Sequence, residues 1–165
     1  MSTKLEEYPA ENAEEIEKQF AVKVVEHARI NGYIYIYILI IALEVYWKLL
    51  TSTKGSTLRL TRIDDEIYEH FTREFQEFST KEFVSLIDEN QLKSSENKAK
   101  WRKFMMVYEN KVDNYNFGTL LRTDSRGEYE EKTTIFVPRI QFYAFEIARN
   151  HHGLNDWIYE TYKTK

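Results

Sequence analysis

Residues 114–123 read NYNFGTLLRT and residues 127–150 read GEYEEKTTIFVPRIQFYAFEIARN, and this stretch decides the fold. Phe117 to Thr123 and Thr133 to Val137 are rich in apolar and β-branched residues, the composition of strands. Asp124 to Lys132 joins them through a loop containing Gly127, which predicts a β-hairpin. Pro138 then suits the first turn of a helix, where its missing N–H is not needed. Arg139 to Asn150 continues as that helix. It is apolar nearly all round (Ile140, Phe142, Tyr143, Ala144, Phe145, Ile147, Ala148), which predicts the central buried element. Gly153 suits its C-terminal end.

Outward from this centre the pattern is helical. Towards the C-terminus, Trp157, Ile158, Tyr159 and Tyr162 form an amphipathic tail that packs back. Towards the N-terminus, Ser94 or Ser95 caps a helix with Trp101, Phe104, Met105 and Tyr108 at i, i+3, i+4 and i+7. Thr80 starts a short helix with Phe83, Leu86 and Ile87 inward. Asp64 or Asp65 caps another, whose stripe is Ile67, Tyr68, Phe71, Phe75 and Phe78. Leu58 and Leu60 suit a short extended piece after the loop Thr51 to Thr57. Asn12 with Glu15 three positions later predicts a capping box, followed by Ile16, Phe20, Val24 and Ala28 on one face. Residues 1–11 read as a disordered lead and residues 12–160 as a single domain. The expected class is mainly α (α+β): a helical domain with a small antiparallel β-hairpin before a buried C-terminal helix.

One segment resists this reading. Tyr33 to Leu43, YIYIYILIIAL, is eleven residues without a charge. A membrane-spanning helix needs about 20 apolar residues, and Glu44 and Lys48 interrupt first. A strand or helix buried on both sides is expected, with no membrane association. Val45, Tyr46, Leu49 and Leu50 then return to helical spacing.

The chain has 165 residues with 42% hydrophobic and 15% aromatic, enough for one packed core. A net charge of -4 argues against direct nucleic-acid binding, which favours a basic stripe. The absence of cysteine excludes disulfides, thiolate metal sites and thiol nucleophiles. The polar, acidic start lacks the marks of a secretory or mitochondrial leader, so a cytoplasmic protein is expected.

No Walker A, GxGxxG or GxSxG motif occurs, and with 5 glycines a nucleotide fold is not indicated. His151 and His152 are adjacent and diverge on a helix, which suits a polar helix end better than a metal pair. His27 and His70 read as edge residues of helices. Asp64, Asp65 and Glu66 suit a helix start electrostatically. No catalytic, cofactor or metal residues are therefore assigned. Arg122 and Arg139 flank the hairpin, which would bring them together at a helix N-terminus. There they could hold an anion or acidic peptide. The favoured alternative is structural ion pairing, for instance to Glu128, Glu130 or Glu131.

From Asn114 onward the two quoted stretches closely resemble the family of polysaccharide biosynthesis domain-containing proteins. LRLTRIDDEIYEHF from Leu58, KWRKF from Lys100 and EIEKQFAVKVVEHA from Glu15 match it in the same order. The resemblance implies a cytosolic eukaryotic chaperone, a monomeric protein-binding module without enzymatic activity or cofactor. Its implied client is newly made translation elongation factor 1-alpha, met at or near the ribosome. The alternative is an enzyme or accessory protein of polysaccharide biosynthesis, as the family label suggests. By position, Asn116, Arg122, Arg139 and Gln141 are expected on the client-facing surface. Residues 29–43 depart from the family pattern, in which the helix ending at Ala28 runs almost directly into Glu44. They read as an insertion or an unspliced intron, and cDNA retaining the segment would refute the intron. Without them, one amphipathic helix would run from Asn12 to Leu50.

Overall fold

The computed structural model describes residues 34–164. The expectations of a disordered lead, a capping box at Asn12, a first helix and an edge position for His27 fall outside the described residues. Among these residues the order is α1 (Ile34–Ser52), α2 (Asp64–Glu74), α3 (Lys81–Ser85), α4 (Glu89–Leu92) and α5 (Ser95–Met106). Then come β1 (Gly118–Arg122), β2 (Thr134–Pro138), α6 (Arg139–His151) and α7 (Asp156–Tyr162). Single 3-10 turns occupy Gly55–Thr57 and Glu131–Thr133. This is the expected class: helices around one two-stranded antiparallel hairpin.

The ambiguous Tyr33–Leu43 segment is helical from Ile34 onward. β-branched and aromatic residues fit strands in general, but packing overrides that preference. Tyr46 and Leu50 bury their side chains, and α1 lies against α7 and β1. The expectation of burial on both sides fails: Ile40 is 45% exposed and Ile41 43%. Val45 and Leu49, at 54% and 44%, also face water. No described helix is long and apolar enough to cross a membrane.

Residues Leu58 and Leu60 form no strand. Asp64 is not a conventional cap either. It is the first residue of α2, and its carboxylate turns back to accept from Leu60 N, Thr61 N and Thr61 Oγ1 at 2.6–2.7 Å. Thr80 and Ser94 do cap α3 and α5, accepting from Phe83 N and Asn97 N. Val84 of α3 and Ile87 just beyond it are buried, while Leu86, which follows the helix, is 55% exposed, contrary to expectation. Leu86 instead bridges Asp124, and Ser125 N donates to Ser85 O at 2.8 Å, which fixes α3 against the hairpin loop.

The core is aromatic. Phe75 stacks on Trp101 at 4.0 Å between centroids, and Phe71 meets Phe145 edge-on at 5.3 Å. Aromatic pairs of this kind add to burial energy through their quadrupoles. The reading of α6 as the central buried element holds, since ten of its residues are buried, but four of these, Gln141, Glu146, Arg149 and Asn150, are polar or charged. The helix stops at a Schellman turn: Gly153 takes φ +70°, and Gly153 N and Leu154 N donate to Asn150 O and Arg149 O. That turn delivers Asn155 into the interior.

Candidate functional site

The hairpin register pairs Gly118 with Pro138 and Arg122 with Thr134. Arg122 therefore lies four residues from the end where α6 begins, roughly 13 Å away at strand rise. It does not meet Arg139. The first N–H groups of α6 are also already used, since Arg139 N donates to Phe117 O at 2.7 Å and Ile140 N to Tyr115 O at 2.9 Å. An anion site at that helix start is thereby corrected: its donors are spent on carbonyls.

Arg122 instead anchors an interior network. It is fully buried, and its guanidinium donates to Ser125 O, Gly127 O and Asn155 Oδ1 at 3.2, 2.7 and 2.7 Å. Glu146 lies 3.8 Å away. Arg149 bonds Glu146 at 2.8 Å and also donates to Val84 O and Thr123 O. The second Glu146 oxygen accepts from Tyr46 Oη at 2.5 Å and Asn155 Nδ2 at 2.9 Å. Structural ion pairing is thus the role of Arg122, but its acid is Glu146, not Glu128, Glu130 or Glu131. Burial alone would raise the Glu146 carboxyl. Arg149, Arg122 and the donated hydrogen bonds outweigh it and hold Glu146 below the usual carboxylate range.

This network backs an open groove. Ile40, Leu43, Glu44, Trp47 and Lys48 of α1 form one wall, and Glu128 and Tyr129 of the hairpin loop form the other. Its volume is ≈ 550 Å³. Trp47 meets Tyr129 edge-on at 6.1 Å and also touches the rings of Trp157 and Tyr162. The Arg122 guanidinium lies over both groove rings, 5.5 Å from Trp47 and 5.7 Å from Tyr129. Trp157 Nε1 donates to Ser125 O at 2.8 Å, and Tyr162 Oη donates to Glu128. The loop is therefore held from inside by Arg122 and from the side by α7. Beside the groove, Ile41, Val45 and Leu49 recur every four residues and line the outer face of α1.

Of the four residues expected on the client-facing surface, Asn116, Arg122 and Gln141 are buried. Arg139 is half-buried, with its guanidinium 5.9 Å from the Phe117 ring. None of the four lines the groove. Sequence reasoning missed Trp47 and Tyr129, because their place in a shared wall depends on contacts far apart in the chain. The visible signal was Glu146 with Arg149 on an otherwise apolar helix: opposite charges there must pair inside.

The described histidines have structural neighbours. His70 Nδ1 bonds Tyr108 Oη at 2.8 Å and its ring stacks on Phe104. His151 stacks on Tyr68, perpendicular to His152. Among the described residues no group of three His, Cys, Asp or Glu side chains could hold a metal ion.

Fold and site together define a small α+β domain with a hairpin locked by a buried ion network and an apolar groove beside it. The chain belongs to the PBDC1 protein family, whose model matches residues 16–160. It is 56% identical over 149 residues to the Saccharomyces cerevisiae protein named PBDC1 homolog, covering 90% of this chain and 92% of that one. The Schizosaccharomyces pombe PBDC1 homolog is 53% identical over 158 residues, covering 96% and 97%. Human PBDC1 is 38% identical over 160 residues, 95% of this chain and 60% of that protein. A solution NMR structure of a Saccharomyces cerevisiae protein, 55% identical, superposes with a TM-score of 0.68 over 89% of this chain and 90% of that chain.

Proposed function

We propose that this chain is a cytosolic protein-binding module that chaperones newly made translation elongation factor 1-alpha. The observation that carries the binding reading is the apolar groove beside the exposed Ile41–Val45–Leu49 stripe. Exposed contiguous apolar surface with a polar edge is what protein-docking sites present, and a folding client offers apolar segments to cover it. The client itself rests on the resemblance of the quoted motifs. Tyr46 and Glu146 are spent on each other behind the groove rather than turned into it, and Tyr129, whose phenol burial pushes up, stands on the groove wall without them. An enzyme pocket would instead converge such groups on a substrate.

Affinity capture from a translating extract tests this. The tagged chain should enrich nascent elongation factor 1-alpha, and a V45D/L49D variant should lose it while keeping its thermal midpoint. Failure of the wild-type chain to enrich the factor sinks the client. Undiminished capture by the variant removes the Ile41–Val45–Leu49 stripe from the docking site.

A further inference from the structure

We propose that the groove docks an amphipathic partner helix that seats an apolar side chain on the Trp47–Tyr129 wall and carries Lys or Arg on both flanks. The inference rests on reading this groove as a protein-docking site, and names the chemistry of what enters it. Its floor and its rim ask for different things.

The floor rejects cations. Two aromatic rings would ordinarily attract one, but here the buried Arg122 guanidinium already lies over both. Behind it, Arg122 and Arg149 share one carboxylate, Glu146, so the cluster bears two positive charges against one negative. A second cation at the rings would meet like charge through a thin, poorly screening wall. An apolar side chain gains instead, because it removes ring surface from water.

The rim attracts cations. Glu44 stands on the α1 side and Glu128 on the loop side, both exposed, with Lys48 the single base among the described lining residues. Tyr162 Oη donates to Glu128, which orients that carboxylate without neutralising it. A segment with basic flanks meets opposite charge on both walls, and one with acidic flanks meets repulsion. The outer stripe of α1 supplies the reason for a helix: its four-residue spacing is a ridge onto which a second helix packs.

The test uses two fluorescent synthetic helical peptides with one shared leucine face, flanked by Lys in one and by Glu in the other. Anisotropy titration of the full chain should give about tenfold tighter binding of the basic peptide at low salt. The gap should shrink in about 1 M salt, where the Debye length is near 3 Å. E44K alone should weaken the basic peptide about threefold, the reach of one rim charge. E44K/E128K should reverse the order of the two peptides, with circular dichroism confirming the fold. Equal affinity for both peptides, a preference that survives the double reversal, or no binding of either overturns the proposal. So does a concentration-dependent dimer that the basic peptide fails to dissociate, since the occupant is then a second copy. Capture of elongation factor 1-alpha that is lost in V45D/L49D, combined with equal peptide affinities, overturns this inference alone. Capture that V45D/L49D leaves intact removes the α1 stripe from the docking surface and overturns the helix in this proposal.

Discussion

Tyr46 and Glu146, a hundred positions apart, share a 2.5 Å hydrogen bond between two buried side chains. The bond ties α1 to α6 and sits behind the groove wall. Burial first, then the adjacent Glu146 charge, push the Tyr46 phenol well above its ordinary range, so it stays a donor. Tyr46→Phe keeps the ring and its edge contact with Phe142 while removing the donor. Glu146 Oε2 then retains Asn155 Nδ2 as its partner. Hydrogen bonds to charged groups contribute about 1.5–3 kcal/mol. The expected outcome is a lower urea midpoint with an unchanged slope, and an unchanged midpoint contradicts the role given to this bond.

Glu146→Gln should cost more, about 3–5 kcal/mol at neutral pH, because it leaves two buried cations without a counter-charge. Burial opposes the charge on Arg149 as well, but a guanidinium remains protonated in proteins. The pH sign follows from the lowered carboxyl. The folded value lies below an unfolded value of about 4.3, so the unfolded state holds the proton more readily. The Glu146 contribution is complete above that unfolded value and is lost as pH falls through the folded one. Denaturation curves between about pH 7 and pH 3 should therefore show the gap between wild type and Glu146→Gln narrowing as acid is added. A gap that widens refutes the assignment.

Local patterns exposed much of this fold. Trp101, Phe104, Met105 and Tyr108 read as one buried stripe because a helix repeats its face every 3.6 residues, and all four are buried. The hairpin and α6 were equally readable, since strand composition, Pro138 and Gly153 act locally. α1 was not, because its core side and its water side are both apolar. Pattern alone cannot separate Tyr46 and Leu50 from Val45 and Leu49. The site was the least legible part. Arg122 looked like a strand-end cation, and its actual partners, Glu146 and Asn155, are brought to it by α6 and the Schellman turn.

Gly55 marks where the 3-10 turn after α1 presses on that same turn. A Cβ there would fall 2.5 Å from Asn150 Oδ1 and 2.9 Å from Asn155 Cβ. Asn155 cannot yield freely, since its amide bonds Glu146, Asn150 and Arg122. Gly55→Ala should therefore destabilise by about 1–3 kcal/mol, as overpacking does. For a domain of this size that lowers the melting temperature by roughly 2–4 °C per kcal/mol. A calorimetric midpoint equal to wild type would show that the turn can shift aside.

Arg122→Lys tests whether the buried network shapes the groove. The substitution keeps the charge, yet an ammonium cannot reproduce the planar fork that reaches Ser125 O, Gly127 O and Asn155 Oδ1. It also gives up the flat stacking surface beneath Trp47 and Tyr129. Two loop carbonyls lose their interior donor, so the wall that carries Glu128 and Tyr129 loosens while β1 and β2 keep their ladder. Hydrogen exchange should speed up at loop amides such as Ser125 and Gly127, both hydrogen-bonded in the folded chain. The ladder amides of Thr119 and Leu121, which face β2 in this register, should change far less. Capture of the protein partner should fall together with loop protection, although no groove residue has been altered. If loop protection collapses and capture is unchanged, the loop wall is not part of the docking surface.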